Sequence, residues 1–234
     1  MTFYPMLDTP TTRYSVQPGT GFLDEGYLKA TGSQHESVDF NAITGGDTDL
    51  GDPVYVVEGG TVRAAFWHKG IGGIVLIEHP DGSEAHYWHL RDIHVRKGSY
   101  LNAGDLIGQV GKGGRGQWYA HLHFGVRKKA GQLAADHWPS THIKDPVKCA
   151  AFIREHYHEP LAWLEARNAK KRIDDLQAQR GEPTRVLMNE QEITGQLVQV
   201  HGNGFTIDAR TNPVRIYTND PDVGSIPATP QKAP

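Results

Sequence analysis

Ile74-Val75-Leu76-Ile77-Glu78-His79 and Ala85-His86-Tyr87-Trp88-His89-Leu90 flank Pro80-Asp81-Gly82. Stretches rich in β-branched and aromatic residues on either side of such a turn signal are typical of a β-hairpin. Outward from this hairpin, short strand patterns separated by glycine-containing turns run over residues 35–128. Their spacing predicts a mainly β fold, an antiparallel sheet or sandwich.

The rest of the chain predicts additions to this sheet. Residues 1–34 are rich in turn formers and predict an irregular lead-in. Pro146 and Pro160 predict the starts of two helices, over 146–157 and 160–179, the second packed on the main domain. Strand patterns return in a small C-terminal β unit, at 185–188, 196–200, 205–208 and 214–217, with a turn at 201–204. The chain therefore divides into a main domain over 1–158 (core 35–128), a helix or linker over 159–182, a β appendage over 183–219 and a disordered Pro-rich tail over 220–234.

Composition narrows the classes of function. The formal net charge is −3 and no basic run stands out, so nucleic acid and anionic membranes are poor candidate partners. No apolar stretch approaches the about 18 residues that a membrane span needs. Residues 1–8 lack the basic start and apolar core of a secretion signal. Cys149 is the only cysteine, which precludes an intrachain disulfide, and its neighbours predict a buried helix face.

His121-Leu122-His123 lies in a further strand pattern, at 120–126. Side chains two apart on a strand project to the same face, so one imidazole can hold a metal while the other acts on what the metal binds. By itself the pair means little, because 13 histidines make a His-x-His pair close to a chance event. His156-Tyr157-His158 is a second such pair, at a predicted helix end, where we expect a solvated terminus.

Context favours the first pair. His35 and Asp39 lie upstream, and with His123 they would supply three ligands and leave a fourth position for water, as in catalytic zinc sites. Glu36 follows His35, as in His-Glu-x-x-His metalloproteases, but position 39 is Asp and no helix is predicted there, so we expect Glu36 to face solvent. We expect His79 to be structural and His86 to be an ordinary surface or hydrogen-bonded residue.

The loop at 111–116 matches Gly-x-Gly-x-x-Gly, but it lies between strands and opens no helix, which argues against a dinucleotide site. It is better interpreted as a loop that frames a cleft. Trp118 and Tyr119, at its end, are candidate substrate contacts.

The order His35-x-x-x-Asp39, Tyr87-Trp88-His89-Leu90 and His121-x-His123 resembles the lysostaphin/LytM-type zinc endopeptidases of bacterial cell walls. Gly51-Asp52-Pro53-Val54-Tyr55 and Ala103-Gly104-Asp105-Leu106-Ile107-Gly108-Gln109 also resemble family segments, and the match covers about 35–128. Ser37 stands where the family usually has glycine, and the 112–119 loop also departs from the family pattern; both departures bear on substrate preference.

The resemblance implies roles by position. His35, Asp39 and His123 would bind one Zn²⁺ per chain, and His89 and His121 would be the paired catalytic histidines. Residues 1–158 would then form a zinc metallo-endopeptidase domain whose partner is peptidoglycan, cut within the stem or cross-bridge peptides. Which of His89 and His121 acts as general base stays open.

We therefore expect a bacteriolytic peptidoglycan hydrolase. The missing secretion signal favours a bacteriophage endolysin or virion-associated lysin that acts on the wall, or export by another route. One alternative is a non-catalytic cell-wall-binding or regulatory module of the same fold; the complete ligand set argues against it. Another is a structural virion or wall-anchored protein in which residues 184–218 carry the main role by binding.

Overall fold

The computed structural model describes residues 4–178, 183–188, 191–201 and 204–208. The chain divides between Asn168 and Ala169 into two compact units. In chain order the elements are β1 (Tyr14–Val16), α1 (Glu25–Thr31), β2 (Val38–Ala42), β3 (Pro53–Tyr55), β4 (Gly60–His68), β5 (Gly72–Glu78), β6 (Glu84–Ile93), β7 (Tyr100–Leu101), β8 (Leu106–Val110), β9 (Leu122–Arg127), α2 (Pro139–His142), α3 (Pro146–His156), β10 (Tyr157–His158), α4 (Pro160–Ala178), β11 (Pro183–Met188), β12 (Gln191–His201) and β13 (Gly204–Asp208).

The first unit is built on one antiparallel sheet with the strand order β1-β2-β9-β6-β5-β4-β7. Strand β10 pairs with β9, and β8 pairs with both β3 and β6. The predicted hairpin is β5–β6, in which Val75 faces Tyr87 and Ile77 faces Ala85. The prediction of a mainly antiparallel β fold with helical additions is confirmed.

The two faces of β6 and β9 differ in chemistry because side chains alternate along a strand. Tyr87 and Phe124 are paired across the strands and belong to the main apolar core. His86, Trp88 and His123 project to the opposite face, which is also buried. Trp138 packs against Trp88 on that face. The second face therefore encloses polar side chains away from solvent.

The lead-in is more ordered than its sequence predicted. Strand β1 pairs with β2, and α1 begins where the Asp24 side chain accepts a hydrogen bond from Tyr27 N. The helix ends at Gly32, whose φ of 72° is left-handed. The prediction of an irregular segment was wrong because none of the residues in α1 is buried, so the helix lacks the apolar periodicity that signals one.

The two later helices were predicted correctly. Helix α3 has Asp145 at its N-cap and buries Cys149, while α4 buries Trp163 and Leu164 in the main core. The helix end predicted at 156–158 is present, because α3 ends at His156, but the segment is not fully solvated. His156 and His158 are half-buried, and Tyr157 begins β10 with only 1% of its surface exposed.

The second unit contains a three-stranded antiparallel sheet in the order β11-β12-β13. His201 at the end of β12 pairs with Gly204 at the start of β13, and positions 202–203 of the predicted turn lie outside the described residues. The strand predicted at 214–217 and the tail at 220–234 lie outside the described residues. Among the described helices, none is long and apolar enough to cross a membrane.

Candidate metal centre and active site

Three predicted ligands converge where β2 lies against β9. Asp39 is in register with His123, and His35 lies just before β2. His35 Nε2 is 3.2 Å from His123 Nδ1 and 3.3 Å from Asp39 Oδ1, which is 3.1 Å from His123 Nδ1. Ligands about 2.0–2.1 Å from a tetrahedral zinc lie about 3.3–3.4 Å from one another. The three atoms therefore have the spacing of one face of such a site.

Neighbouring groups orient both imidazoles. His35 Nδ1 is 3.1 Å from the carbonyl oxygen of Gly21, to which it can donate, and the ring stacks on Tyr27 at 4.3 Å. His123 Nε2 is 3.3 Å from Glu36 Oε1 and can donate there. With a metal ion bound, these partners would keep the protons on the outer nitrogens, so that His35 Nε2 and His123 Nδ1 would face the ion beside Asp39 as lone pairs. Without a metal ion, a proton on His123 Nδ1 takes that place between the imidazole and the Asp39 carboxylate.

The pKa values are consistent with a cation site. Burial raises the pKa of Asp39, but His35, His121 and the hydrogen bonds from His123 outweigh it and hold the pKa well below its usual value. Burial lowers the pKa of His123, yet hydrogen bonds with Asp39 and Glu36 raise it to about 9 in the metal-free site. A proton and a metal ion would therefore compete for His123.

His89 and His121 lie beside this triangle. Their ring centroids are 4.7 Å apart, and His121 Nε2 is 3.9 Å from Asp39 Oδ2. His89 Nδ1 can donate to the Ile71 carbonyl at 2.7 Å, and His121 Nδ1 to the Tyr119 carbonyl at 2.8 Å. Backbone carbonyl groups therefore hold both rings through Nδ1, and these hydrogen bonds do not involve Nε2 of either ring. The structure brings all five predicted site residues together.

His89 is held in a strained backbone conformation. Its φ is 65°, which a residue other than glycine rarely adopts and which costs about 1–3 kcal/mol. Burial, with the nearby charges of His121 and His123, holds the pKa of His89 well below its usual value. The ring is consequently neutral at neutral pH. His121 lies just before β9, where it bridges to Gly111.

Tryptophans form one wall of the site. Trp118 lies 4.6 Å from the His89 ring and 6.1 Å from Trp138, while Trp88 stacks on His123 at 5.1 Å. Tyr119 is 74% exposed and contributes its carbonyl oxygen to His121. Trp138 was missed from the sequence because it lies beyond the segment that carries the motifs and has no partner pattern of its own.

One sequence expectation is corrected here. Glu36 does not face solvent: its exposed fraction is 0%, because the face of the sheet where it lies is covered. His86 is the hydrogen-bonded rather than the surface residue of the two alternatives; it is fully buried, and its Nε2 lies 2.8 Å from Ser37 Oγ. His79 is structural as predicted, with Nδ1 3.2 Å from the Gly59 carbonyl oxygen. Glu36, His86 and His123 also lie close enough together to form a second candidate metal-binding group.

Residues 33–135 match the sequence profile of Peptidase family M23. These residues form a peptidase family M23 domain. The match contains all five converging side chains and begins two residues before His35.

Curated relatives are similar to parts of the chain. Identity is 31% over 126 residues with a lipoprotein NlpD/LppB homolog of Pseudomonas aeruginosa, covering 53% of this chain and 39% of the relative. Identity with lysostaphin of Staphylococcus simulans is 34% over 99 residues, which cover 42% of this chain and 19% of the relative. Identity with the murein hydrolase activator EnvC of Escherichia coli K12 is 32% over 88 residues, which cover 38% of this chain and 21% of the relative. The chain thus spans well under half the length of these relatives.

Solved structures similar to this chain include a zinc-containing peptidase from Vibrio cholerae, at 29% identity and a TM-score of 0.42, covering 54% of this chain and 36% of that one. The catalytic domain of lysostaphin from Staphylococcus simulans is similar at 25% identity and a TM-score of 0.44, and the match covers 65% of this chain and 92% of that one.

Proposed function

We propose that the M23 domain is a zinc-dependent endopeptidase that hydrolyses peptide bonds in the stem or cross-bridge peptides of bacterial peptidoglycan. The observation that carries this proposal is the triangle of His35 Nε2, Asp39 Oδ1 and His123 Nδ1, with sides of 3.1–3.3 Å, beside two backbone-anchored imidazoles. Three protein ligands, none of them cysteine, are typical of a catalytic rather than a structural zinc site.

The residues around the triangle fit amide hydrolysis. A zinc ion held there would polarise the scissile carbonyl group and activate water. Neutral His89 is suited to accept a proton at Nε2. His121, whose side chain is 13% exposed, is suited to stabilise developing negative charge or to protonate the leaving amine. Trp118 and Tyr119 are proposed to contact the peptide on either side of these rings.

A second candidate is a non-catalytic regulator of another wall hydrolase. The similarity to a protein named murein hydrolase activator favours it. The complete set of three ligands and two further histidines favours the enzyme, because a regulator has no need to keep them in this geometry.

Two histidine variants test the proposal. His123→Ala removes a ligand and is expected to lose zinc and activity together. His121→Ala is expected to keep about one zinc per chain and lose about 10²–10⁴-fold in rate, the usual contribution of an acid–base group. His94→Ala, at an exposed position, is the matched control and should change neither property.

Zinc content would be measured by elemental analysis, and activity by mass spectrometry of fragments released from several peptidoglycan chemotypes. Full activity in His121→Ala would contradict the proposed mechanism. A zinc-loaded chain that releases no fragments but accelerates a second hydrolase would support the regulator instead. Removing residues 184–218 and measuring wall binding separately from hydrolysis tests whether the second unit serves in binding.

A further inference from the structure

Glu36 is an ionisable residue that the proposed mechanism does not use. It follows the ligand His35 directly, and its exposed fraction is 0%. Its Oε1 lies 3.3 Å from Nε2 of His123, on the side of the ring opposite Asp39. Its Oε2 is buried and has no hydrogen-bond partner in the part of the chain that the structure describes. A carboxylate in such surroundings needs compensating positive charge.

The only ion-pair partner of Glu36 within the described residues is His123. Arg127, the guanidinium buried on the same face, is paired with Glu84 at 3.0 Å. A divalent cation at the triangle would complete the charge balance, because one doubly charged ion offsets the two carboxylates of Asp39 and Glu36. A metal ion on the far side of the imidazole would therefore account for the buried charge of Glu36.

We propose that Glu36 is a positioning residue for the metal ligand His123; this rests on the metal site of the proposed function. Glu36 accepts the Nε2–H of His123, fixes the tautomer whose Nδ1 faces the ion, and makes that nitrogen a stronger donor. Carboxylate partners of this kind, behind a ligating histidine, typically change metal affinity by about 10–100-fold.

The test compares zinc affinity in the full chain, measured without substrate by competition with a chromophoric chelator. Glu36→Gln keeps an oxygen acceptor but removes the charge, and is expected to weaken zinc binding about tenfold. Glu36→Ala removes both and is expected to approach a hundredfold loss. The visible spectrum of the cobalt-substituted protein should shift in both variants, because the ligand field of His123 changes.

Glu84→Gln is the matched control, since it makes the same substitution in a carboxylate of the same buried face that contacts Arg127 instead of a ligand. It should lower the unfolding temperature of the metal-free protein and leave zinc affinity within threefold of wild type. Glu36→Gln is distinguished from this control by its loss of zinc affinity, because Glu36 contacts the ligand His123. If Glu36 had a purely structural role, Glu36→Gln would lower the unfolding temperature and leave zinc affinity within threefold of wild type, as in the control.

Three results would overturn the proposal: zinc affinity of Glu36→Gln within threefold of wild type, an equal loss of affinity in Glu84→Gln, or two zinc ions per wild-type chain with one lost in Glu36→Gln. The last would make Glu36 a ligand of a second ion together with His86. Because zinc binding is measured without substrate, a chain that binds zinc normally and cleaves no peptidoglycan would contradict the proposed function alone.

Discussion

Gly125→Ala tests the packing of the buried polar face directly. Gly125 lies on β9 opposite His86 of β6. A Cβ at this position would come closer than 3.0 Å to the ring of His86 and to the hydroxyl of Ser37. Both neighbours are completely buried and hydrogen-bonded to each other at 2.8 Å, so neither can move without breaking that bond.

Two costs add in this variant. Overpacking a closed core costs about 1–3 kcal/mol. Leaving a buried donor or acceptor unpaired costs about 1–3 kcal/mol more. We therefore expect Gly125→Ala to lower the free energy of unfolding by roughly 2–6 kcal/mol. The midpoint of thermal unfolding should fall by roughly 4–24 °C.

The assay is chemical denaturation of the metal-free chain at fixed pH, so that metal binding adds nothing to stability. Gly21→Ala is the control, because the nearest atom to its added Cβ is 3.8 Å away. In a His86→Ala background the ring that the new Cβ would meet is absent, so Gly125→Ala should lower the free energy of unfolding by at least about 1 kcal/mol less than it does in the wild-type background. A loss below about 1 kcal/mol in Gly125→Ala itself would refute the packing described for this face.

Three further predictions concern other parts of the first unit. Trp163→Ala should lower the free energy of unfolding by about 3–5 kcal/mol, because the indole is 4% exposed in the core. Arg167→Ala removes a cation above that ring and should lower it by about 1 kcal/mol. Denaturant titration measures both changes. Burial lowers the pKa of His79 below 6.5, so the unfolded chain binds a proton that the folded chain excludes. Stability should fall as pH drops below 6.5, and unfolding curves of His79→Gln should show a weaker fall. The thiol of Cys149, whose pKa is raised by burial, should react with a thiol reagent only after denaturation.

The sequence predicted the sheet well because its signals are local. The hairpin of β5 and β6 follows from β-branched residues on both sides of Pro80-Asp81-Gly82. Helix α3 follows from Pro146 and the residues around it. Helix α1 was not predicted because none of its residues is buried, so its sequence lacks the periodic apolar positions that indicate a helix. The helix is instead held by the Asp24 cap at its start and by Gly32 after its end.

The site divides in the same way. The resemblance of the motif order to the lysostaphin/LytM-type family grouped His35, Asp39, His89, His121 and His123, because the spacing of the histidines by itself is close to chance. Glu36 was misjudged because its burial depends on the opposite face of the sheet. That face is covered by Trp138 and Tyr157, residues that lie about a hundred positions later in the chain.

The sequence by itself determined the antiparallel sheet, because strand alternation is a property of neighbouring residues. The order of its motifs, through the resemblance to a known family, singled out the five side chains of the candidate site. Only the tertiary structure decided which nitrogen of each histidine faces the triangle and which carboxylate stands behind His123. Tautomer, burial and charge balance depend on groups distant in sequence, such as the Gly21 carbonyl at His35 and the covered face around Glu36.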